Sequence, residues 1–385
     1  MTTTGPTSVI YLDHNATTPV APEVLDAMEP YLTKFFGNPS SDHSLGHEAR
    51  RAVEEARGQV AALIGATPDE IVFTSGGTES NHLAIRGAVV SVSPSRRRVV
   101  TTSVEHPATA GACAILETQG FRITRLPVTR EGIVDAEVAV NEIGEDVALV
   151  TIMMAQNETG AIMPVCEIAA IARLHGALVH SDAAQAVGKI EVNVDHLGVD
   201  LLSIAGHKLY AAKGVGALYI RSGTTIEPLT LGGGQERGLR PGSENVAGIV
   251  GLGVAATLAG SRIAADSQSI CVLREQLWSG LVERIHGIVR HTPMQSSLPN
   301  TLLLSFPEVL GRDVLARAEG VLASTGSACH SGVDTPGATL LAMGVTPNVA
   351  LGAVRLSLGR ESTHEQIAAA IEILVTAFDV GRQRY

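Results

Sequence analysis

Ala177-Leu178-Val179-His180-Ser181-Asp182-Ala183-Ala184-Gln185 and, after a short connection, Leu201-Leu202-Ser203-Ile204-Ala205-Gly206-His207-Lys208 decide the fold. Each begins as a short apolar run and ends in polar residues, the pattern of a buried strand that delivers side chains at its carboxyl end. Working outward, strand-like runs recur at Ile71 to Thr74, Arg98 to Thr102, Phe121 to Leu126, Ala148 to Met153 and Gly216 to Ile220. Between them lie helical stretches such as Leu45 to Ile64, Thr78 to Val90, Pro107 to Gln119 and Val165 to His175, with Pro107 and Pro164 marking starts and Gly120 and Gly176 marking ends. This alternation predicts an α/β fold built on a mostly parallel sheet, with a large domain over residues 16–255. Beyond it the pattern changes. A Gly/Ala-rich helix at Val246 to Leu258, a long helix from Arg262 to Ile285, strands at Asn300 to Phe306, Val321 to Ser324 and Ala353 to Ser357, and a closing helix at Glu365 to Val380 predict a smaller α+β domain over 256–385, joined by an N-terminal arm, 1–15.

Composition narrows the function classes. With 45% hydrophobic and 17% charged residues over 385 positions, the chain is globular rather than disordered. A net charge of −11 and the lack of a dense basic stripe argue against nucleic acid. Met1 to Ser8 is polar without a basic start, and no apolar run is expected to reach the length that spans a bilayer, so a cytoplasmic location is expected. Four cysteines, Cys113, Cys166, Cys271 and Cys329, lie far apart without metal-ligand spacing; neither a disulfide framework nor a metal site is expected.

The chemistry is carried by what stands at the strand ends. A carboxylate at Asp182 and an amine at Lys208, one strand further on, suit pyridoxal phosphate (PLP): the acid for the pyridinium nitrogen, the lysine for a covalent link through a Schiff base. Asp182 also reads as an ordinary helix N-cap, and the lysine is what raises it above that. Ser75-Gly76-Gly77-Thr78 lies between a strand and a helix, where free amides and the dipole favour an anion, although two glycines also make a common tight turn. His106, Gln185 and His207 follow strand ends and suit stacking on a ring, contact with its phenolic oxygen and a phosphate hydrogen bond; each alone is equally a packed or loop residue. Cys329, in Ser324-Thr325-Gly326-Ser327-Ala328-Cys329-His330-Ser331-Gly332, differs from the other three cysteines, which sit on helical patterns and read as core or partly buried thiols.

Taken in order, Tyr11-Leu12-Asp13-His14-Asn15-Ala16-Thr17-Thr18-Pro19, Gly37-Asn38-Pro39-Ser40-Ser41, Phe73 to Asn81, Gln156-Asn157-Glu158-Thr159-Gly160, Gly206-His207-Lys208 and Gly326-Ser327-Ala328-Cys329 resemble the cysteine desulfurase and selenocysteine lyase family of fold-type I PLP enzymes. The resemblance implies that Lys208 carries the cofactor, Asp182 pairs with its ring nitrogen and His106 stacks over the ring. It further implies that Gln185 and Asn157 contact the ring oxygen or substrate, and that Gly77, Thr78, His207 and Ser243 surround the phosphate. Ser243, in Arg240-Pro241-Gly242-Ser243-Glu244-Asn245, would come from the other subunit of a homodimer, and Arg355 would clamp the substrate carboxylate. Cys329 would take sulfur from L-cysteine as a persulfide, leaving L-alanine, and pass it to an acceptor protein. L-selenocysteine is the alternative substrate, and an aminotransferase or a sulfur-relay scaffold is less favoured. Ala205 replaces a serine common in the family, and His330 stands where iron-sulfur-type desulfurases often have threonine. Gly232 to Arg237 reads closer to selenocysteine lyases, while Pro107 after His106 reads closer to desulfurases.

Overall fold

The computed structural model describes residues 9–326 and 335–382. In chain order the elements are β1 (Ile10–Tyr11), α1 (Pro22–Thr33), α2 (Ser44–Ile64), β2 (Ile71–Thr74), α3 (Gly77–Val90), β3 (Arg98–Thr102), α4 (Pro107–Thr118), β4 (Arg122–Leu126), α5 (Ala136–Glu142), β5 (Val147–Thr151), α6 (Val165–Leu174), β6 (Leu178–Asp182), α7 (Val194–Leu197), β7 (Leu201–Ala205) and β8 (Gly216–Ile220). Then come α8 (Val246–Val282), β9 (Val289–Arg290), β10 (Thr301–Ser305), α9 (Gly311–Arg317), β11 (Val321–Leu322), α10 (Ala338–Ala342), α11 (Pro347–Leu351), β12 (Ala353–Ser357) and α12 (His364–Arg382).

The central sheet has seven strands in the order β2-β8-β7-β6-β5-β3-β4, and only β8 runs antiparallel to its neighbours. β5, Val-Ala-Leu-Val-Thr, is buried throughout, as a strand covered on both faces by crossover helices must be. The fold is therefore α/β with a mostly parallel sheet. A three-stranded antiparallel sheet, β12-β10-β9, packs with α9, α12 and the end of α8 around a second apolar cluster that includes Leu277, Leu302, Phe306, Leu356 and Leu374. Ile10 and Leu12 belong to that cluster, because β1 pairs in parallel with β11.

Sequence periodicity predicts two helices where one 37-residue helix, α8, is found. Gly260 and Ser261 suggest a break, but a glycine inside a helix costs only about 1 kcal/mol and leaves every backbone bond in place. Both flanks are anchored: Leu252, Ala255 and Ala259 lie in the large core, whereas Leu273, Leu277 and Leu281 lie in the second cluster. α8 is thus a rod shared by both, and residue 255 falls within it. Its glycines let other helices approach closely. A Cβ on Gly253 would meet the Ala56 backbone of α2 at 2.7 Å, and one on Gly251 would meet Met28 of α1 at 2.7 Å. By length and composition α8 also reaches what a membrane crossing requires, contrary to the sequence expectation, although half of its apolar window is buried inside the molecule.

The turn at Gln235–Gly238 holds Glu236 and Arg237 at φ of 45° and 57°, conformations that non-glycine residues adopt only when their surroundings enforce them. The enforcement is a buried ion pair. Arg57 of α2 donates from Nη1 and Nη2 to the two Glu236 carboxylate oxygens, at 2.8 Å each, while the Phe73 amide of β2 donates to Oε2 at 2.8 Å. Removing one partner leaves the other charge buried and alone, so Glu236→Ala should lower the unfolding free energy by about 3 kcal/mol. Arg57→Ala should cost a similar amount, and the double variant less than the two costs added together. Urea unfolding of the three variants checks this; a Glu236→Ala midpoint equal to wild type would contradict the proposed enforcement.

Candidate active site

The carboxyl edge of the central sheet collects side chains from four strands. β6 ends on Asp182; β7 passes at Ala205 into a single 3-10 turn, Gly206–Lys208; β2 leads through Gly76-Gly77 into α3; β3 leads through Glu105 to His106, the N-cap of α4. Gly216, where β8 reaches the same edge, tolerates no side chain, since a Cβ would sit 2.6 Å from Gly76 Cα and 2.5 Å from the Ile204 carbonyl. Together these ends enclose a cavity of about 260 Å³. Gly77, Thr78, His106, Asn157, Asp182, Gln185, His207, Lys208 and Arg355 all line it, so nearly every residue singled out from sequence converges on one site. Two do not. Ser243 is exposed on its loop outside this cavity, and Cys329 lies outside the described residues.

Asp182 is buried and serves two donors: Asn81 Nδ2 reaches Oδ2 at 2.6 Å, and the Ala184 amide reaches Oδ1 at 3.0 Å. No helix begins here, so the helix-cap reading of Asp182 does not hold: residues 183–190 form turns and the next helix, α7, starts at Val194, while one carboxylate oxygen tethers the turn at Ala184 and the group lines the cavity. Lys208 Nζ donates to the backbone carbonyls of Asn15 and Ala16, the latter at 2.7 Å. Burial, reinforced by the Arg355 charge, brings its amine down from 10.5 to about 8, against the pull of Asp13 and Asp182. The folded protein thus binds fewer protons than the unfolded chain between those two values, so this group's penalty on stability is full below about 8 and is relieved progressively as pH rises from there to 10.5.

His106 Nδ1 accepts from the Ala108 amide at 3.1 Å, which places the proton of the neutral ring on Nε2. Burial holds its proton affinity below the usual histidine value, with Lys208 acting the same way and Asp182 opposing. His207 is brought to about 4, first by burial and then by Lys208. Arg355, on β12, donates from Nη2 to Asp13 at 2.7 Å and from Nη1 to the Asn157 carbonyl at 3.0 Å. Its buried Nε has no partner among the described residues. Gln185 Nε2 donates to the Asn15 carbonyl at 2.9 Å. Of the other cysteines, Cys113 is buried and its thiol pushed up to about 12, whereas Cys166 and Cys271 are partly buried.

The donor set fits PLP. The first amides of the 14-residue helix α3, with the Thr78 hydroxyl and His207, suit a dianionic phosphate. Gly76, at φ 147°, gives the turn a backbone that other residues resist, and a Cβ on Gly77 would press within 3.2 Å of Ala205 Cβ and narrow the cradle. A buried carboxylate and a desolvated amine complete the set. Three contributors lay outside the sequence reading. Asn81 and Asn15 stand inside motifs quoted for the resemblance, yet nothing in their spacing signals that one grips Asp182 and the other receives Lys208; Lys189 Nζ, buried beside Gln185, gives no sequence signal at all.

A helix N-terminus, a carboxylate and a desolvated amine around one cavity at the carboxyl edge of a largely parallel sheet define a fold-type I PLP enzyme. Residues 10–369 match the aminotransferase class-V family, and the chain belongs to it, with its relatives in the cysteine desulfurase group. It is 46% identical over 367 residues to "Cysteine desulfurase IscS" of Dictyoglomus turgidum, covering 95% of this chain and 93% of that one. It is 43% identical to the protein of the same name from Methanosarcina thermophila, over 95% of this chain and 91% of the relative. Among solved structures, a NifS-like protein superposes with a TM-score of 0.91 at 37% identity, covering 97% of this chain and 100% of its own. SspA, solved in complex with cysteine, has a TM-score of 0.81 at 34% identity, covering 92% of this chain and 99% of that chain.

Asn81→Ala removes the side-chain donor to the Asp182 carboxylate. A hydrogen bond to a charged group contributes about 1.5–3 kcal/mol, so PLP retention should weaken by roughly tenfold or more. Cofactor content after exhaustive dialysis measures it; full retention would show that Asp182 holds its place without Asn81.

Proposed function

We propose that this chain is a PLP-dependent cysteine desulfurase that converts L-cysteine to L-alanine and leaves the sulfur as a persulfide on Cys329. The observation that carries the reading is the facing of a desolvated Lys208 amine and a buried, hydrogen-bonded Asp182 across one cavity. When bound, PLP supplies an electron sink for the substrate α-carbon. Asp182 would hold the pyridine nitrogen protonated; Thr78, His207 and the start of α3 would hold the phosphate, joined by Ser243 from the second subunit of a homodimer. Arg355 keeps one buried donor, Nε, beyond those spent on Asp13 and Asn157, and a planar guanidinium at the cavity wall suits the substrate carboxylate.

Lys208 Nζ, neutral in a substantial fraction near pH 8, takes the proton from the substrate α-carbon. His106, with its proton on Nε2, donates at the cavity face. The Cys329 thiolate then attacks the substrate sulfur: the S–S bond forms, the bond from sulfur to the β-carbon breaks, and the electron pair left on carbon is protonated. In sum, one enzyme thiol and one L-cysteine give one persulfide and one L-alanine; carbon is reduced as sulfur is oxidised to the sulfane level. An acceptor protein would remove that sulfur. Cysteine is favoured over selenocysteine because the relatives that match nearly end to end carry the desulfurase name.

Lys208→Ala should lower alanine release from L-cysteine by roughly 10²-fold or more, since the base and the cofactor anchor are lost together. Cys329→Ala should abolish alanine release from L-cysteine while sparing much of the release from L-selenocysteine, whose selenol leaves more readily. Wild type exposed to L-cysteine should carry one added sulfur on the Cys329 peptide by mass spectrometry. An unmodified peptide, together with turnover of selenocysteine alone, would overturn the desulfurase reading.

A further inference from the structure

Of the four lysines in the chain, Lys208 lines the active-site cavity and Lys189 lines a small neighbouring cavity that Lys208 also borders, and the chemistry above uses only Lys208. Lys189 follows Gln185 by four residues in a run of turns, and its Nζ donates to Gln185 Oε1 at 2.6 Å and to Asn15 Oδ1 at 2.9 Å. Both partners are amide oxygens; none of the carboxylates among the described residues pairs with it. An unpaired cation in such a place would be costly. A neutral amine, by contrast, has two N–H groups, and two acceptors are present.

Asn15 is the other half of the arrangement, and every polar group it owns is engaged. Its amide donates to Ser357 Oγ at 2.9 Å; its Nδ2 donates to Thr301 Oγ1 at 2.8 Å and to the Asn157 carbonyl at 3.2 Å; its Oδ1 receives Lys189 and, at 3.0 Å, Asn300 Nδ2. Its carbonyl, finally, receives both Gln185 Nε2 and Lys208 Nζ. Lys189 therefore grips Asn15 twice, directly at the side chain and, by fixing which way the Gln185 amide points, at the carbonyl that faces Lys208.

We propose that Lys189 is a positioning residue that, as a double donor to Asn15 and Gln185, holds the Asn15 and Ala16 carbonyls against the Lys208 amine. The inference rests on Lys208 being the working amine of the reading above. Burial keeps Lys189 well below the ordinary lysine value, with Lys208 and Arg355 acting in the same direction. The other titratable groups around the pair are Asp13, Asp182, His106 and His207 on the cofactor side and His14, Asp266 and Arg360 around a small cavity of about 30 Å³ that both lysines line.

The test uses cofactor-free protein, so that it reads the amine and not turnover. Competitive acetylation with acetic anhydride across pH 6 to 11, followed by peptide mass spectrometry, gives a titration midpoint for Lys208, expected at about 8 in wild type. In Lys189→Met the carbonyls that favour the ammonium are no longer held, and the midpoint should fall by about half a unit or more. Asn15→Ala, which severs the same connection at its other end and carries the test if the first variant does not fold, should shift it the same way. The double variant should move no further than the larger single shift. An unchanged midpoint in the variants would overturn the inference, and a raised one would show Lys189 acting as a charge instead, which also overturns it. A wild-type midpoint at the ordinary lysine value would remove the desolvated amine itself, taking the functional reading down together with this inference.

Discussion

Desolvation of one amine is the constraint on which the rest of this structure depends. A lysine at the surface is an ammonium at neutral pH and a poor nucleophile; Lys208 is brought to about 8 because it is withdrawn from water beside Arg355. Withdrawal alone would leave the group without partners. The structure supplies two backbone carbonyls, from Asn15 and Ala16, which hold the amine in place without adding a carboxylate that would raise it again. Asp182 and Asp13 act from further off, close enough to temper the shift and too far to form an ion pair with it among the described residues.

That constraint explains why the N-terminal segment crosses the molecule as it does. β1 is only two residues long and pairs with β11; Asp13 bridges to Ser357 and to Arg355; Asn15 then reaches the central sheet. The two carbonyls that receive Lys208 are thereby fixed by the same strand, β12, that carries the cavity-lining Arg355. Movement of β12 relative to the central sheet would disturb the lysine and the arginine together. α8 resists such movement, since its two ends are buried in different apolar clusters and its glycines seat it closely on α1 and α2.

Much of this was legible in the sequence where a residue's role follows from its place at a strand end. Asp182, Lys208, His106 and Thr78 each stand where an apolar run stops, and a parallel sheet gathers such ends at one edge. Arg355 and Asn157 were reached only through family resemblance. Asn81 and Lys189 were not legible, because their importance lies in which side chain they meet across the fold, 101 residues away for Asn81 and 174 for Lys189 with Asn15. The continuity of α8 was missed for a similar reason: a glycine followed by a serine reads locally as a break, whereas burial at both ends decides for a single helix. Glu236 and Arg237, held at positive φ by an ion pair with Arg57, carry no local signal either, since neither residue type favours that conformation.

The most direct measurement of the central claim is the site of attachment. Protein loaded with PLP, reduced with borohydride and digested should carry the pyridoxyl group on the peptide containing Lys208 alone, leaving Lys34, Lys189 and Lys213 unmodified. A pyridoxyl group on Lys189, or none on any of the four, would contradict the account in which a single desolvated amine, held by Asn15 and Ala16 and faced by Asp182, is what the fold is built to present.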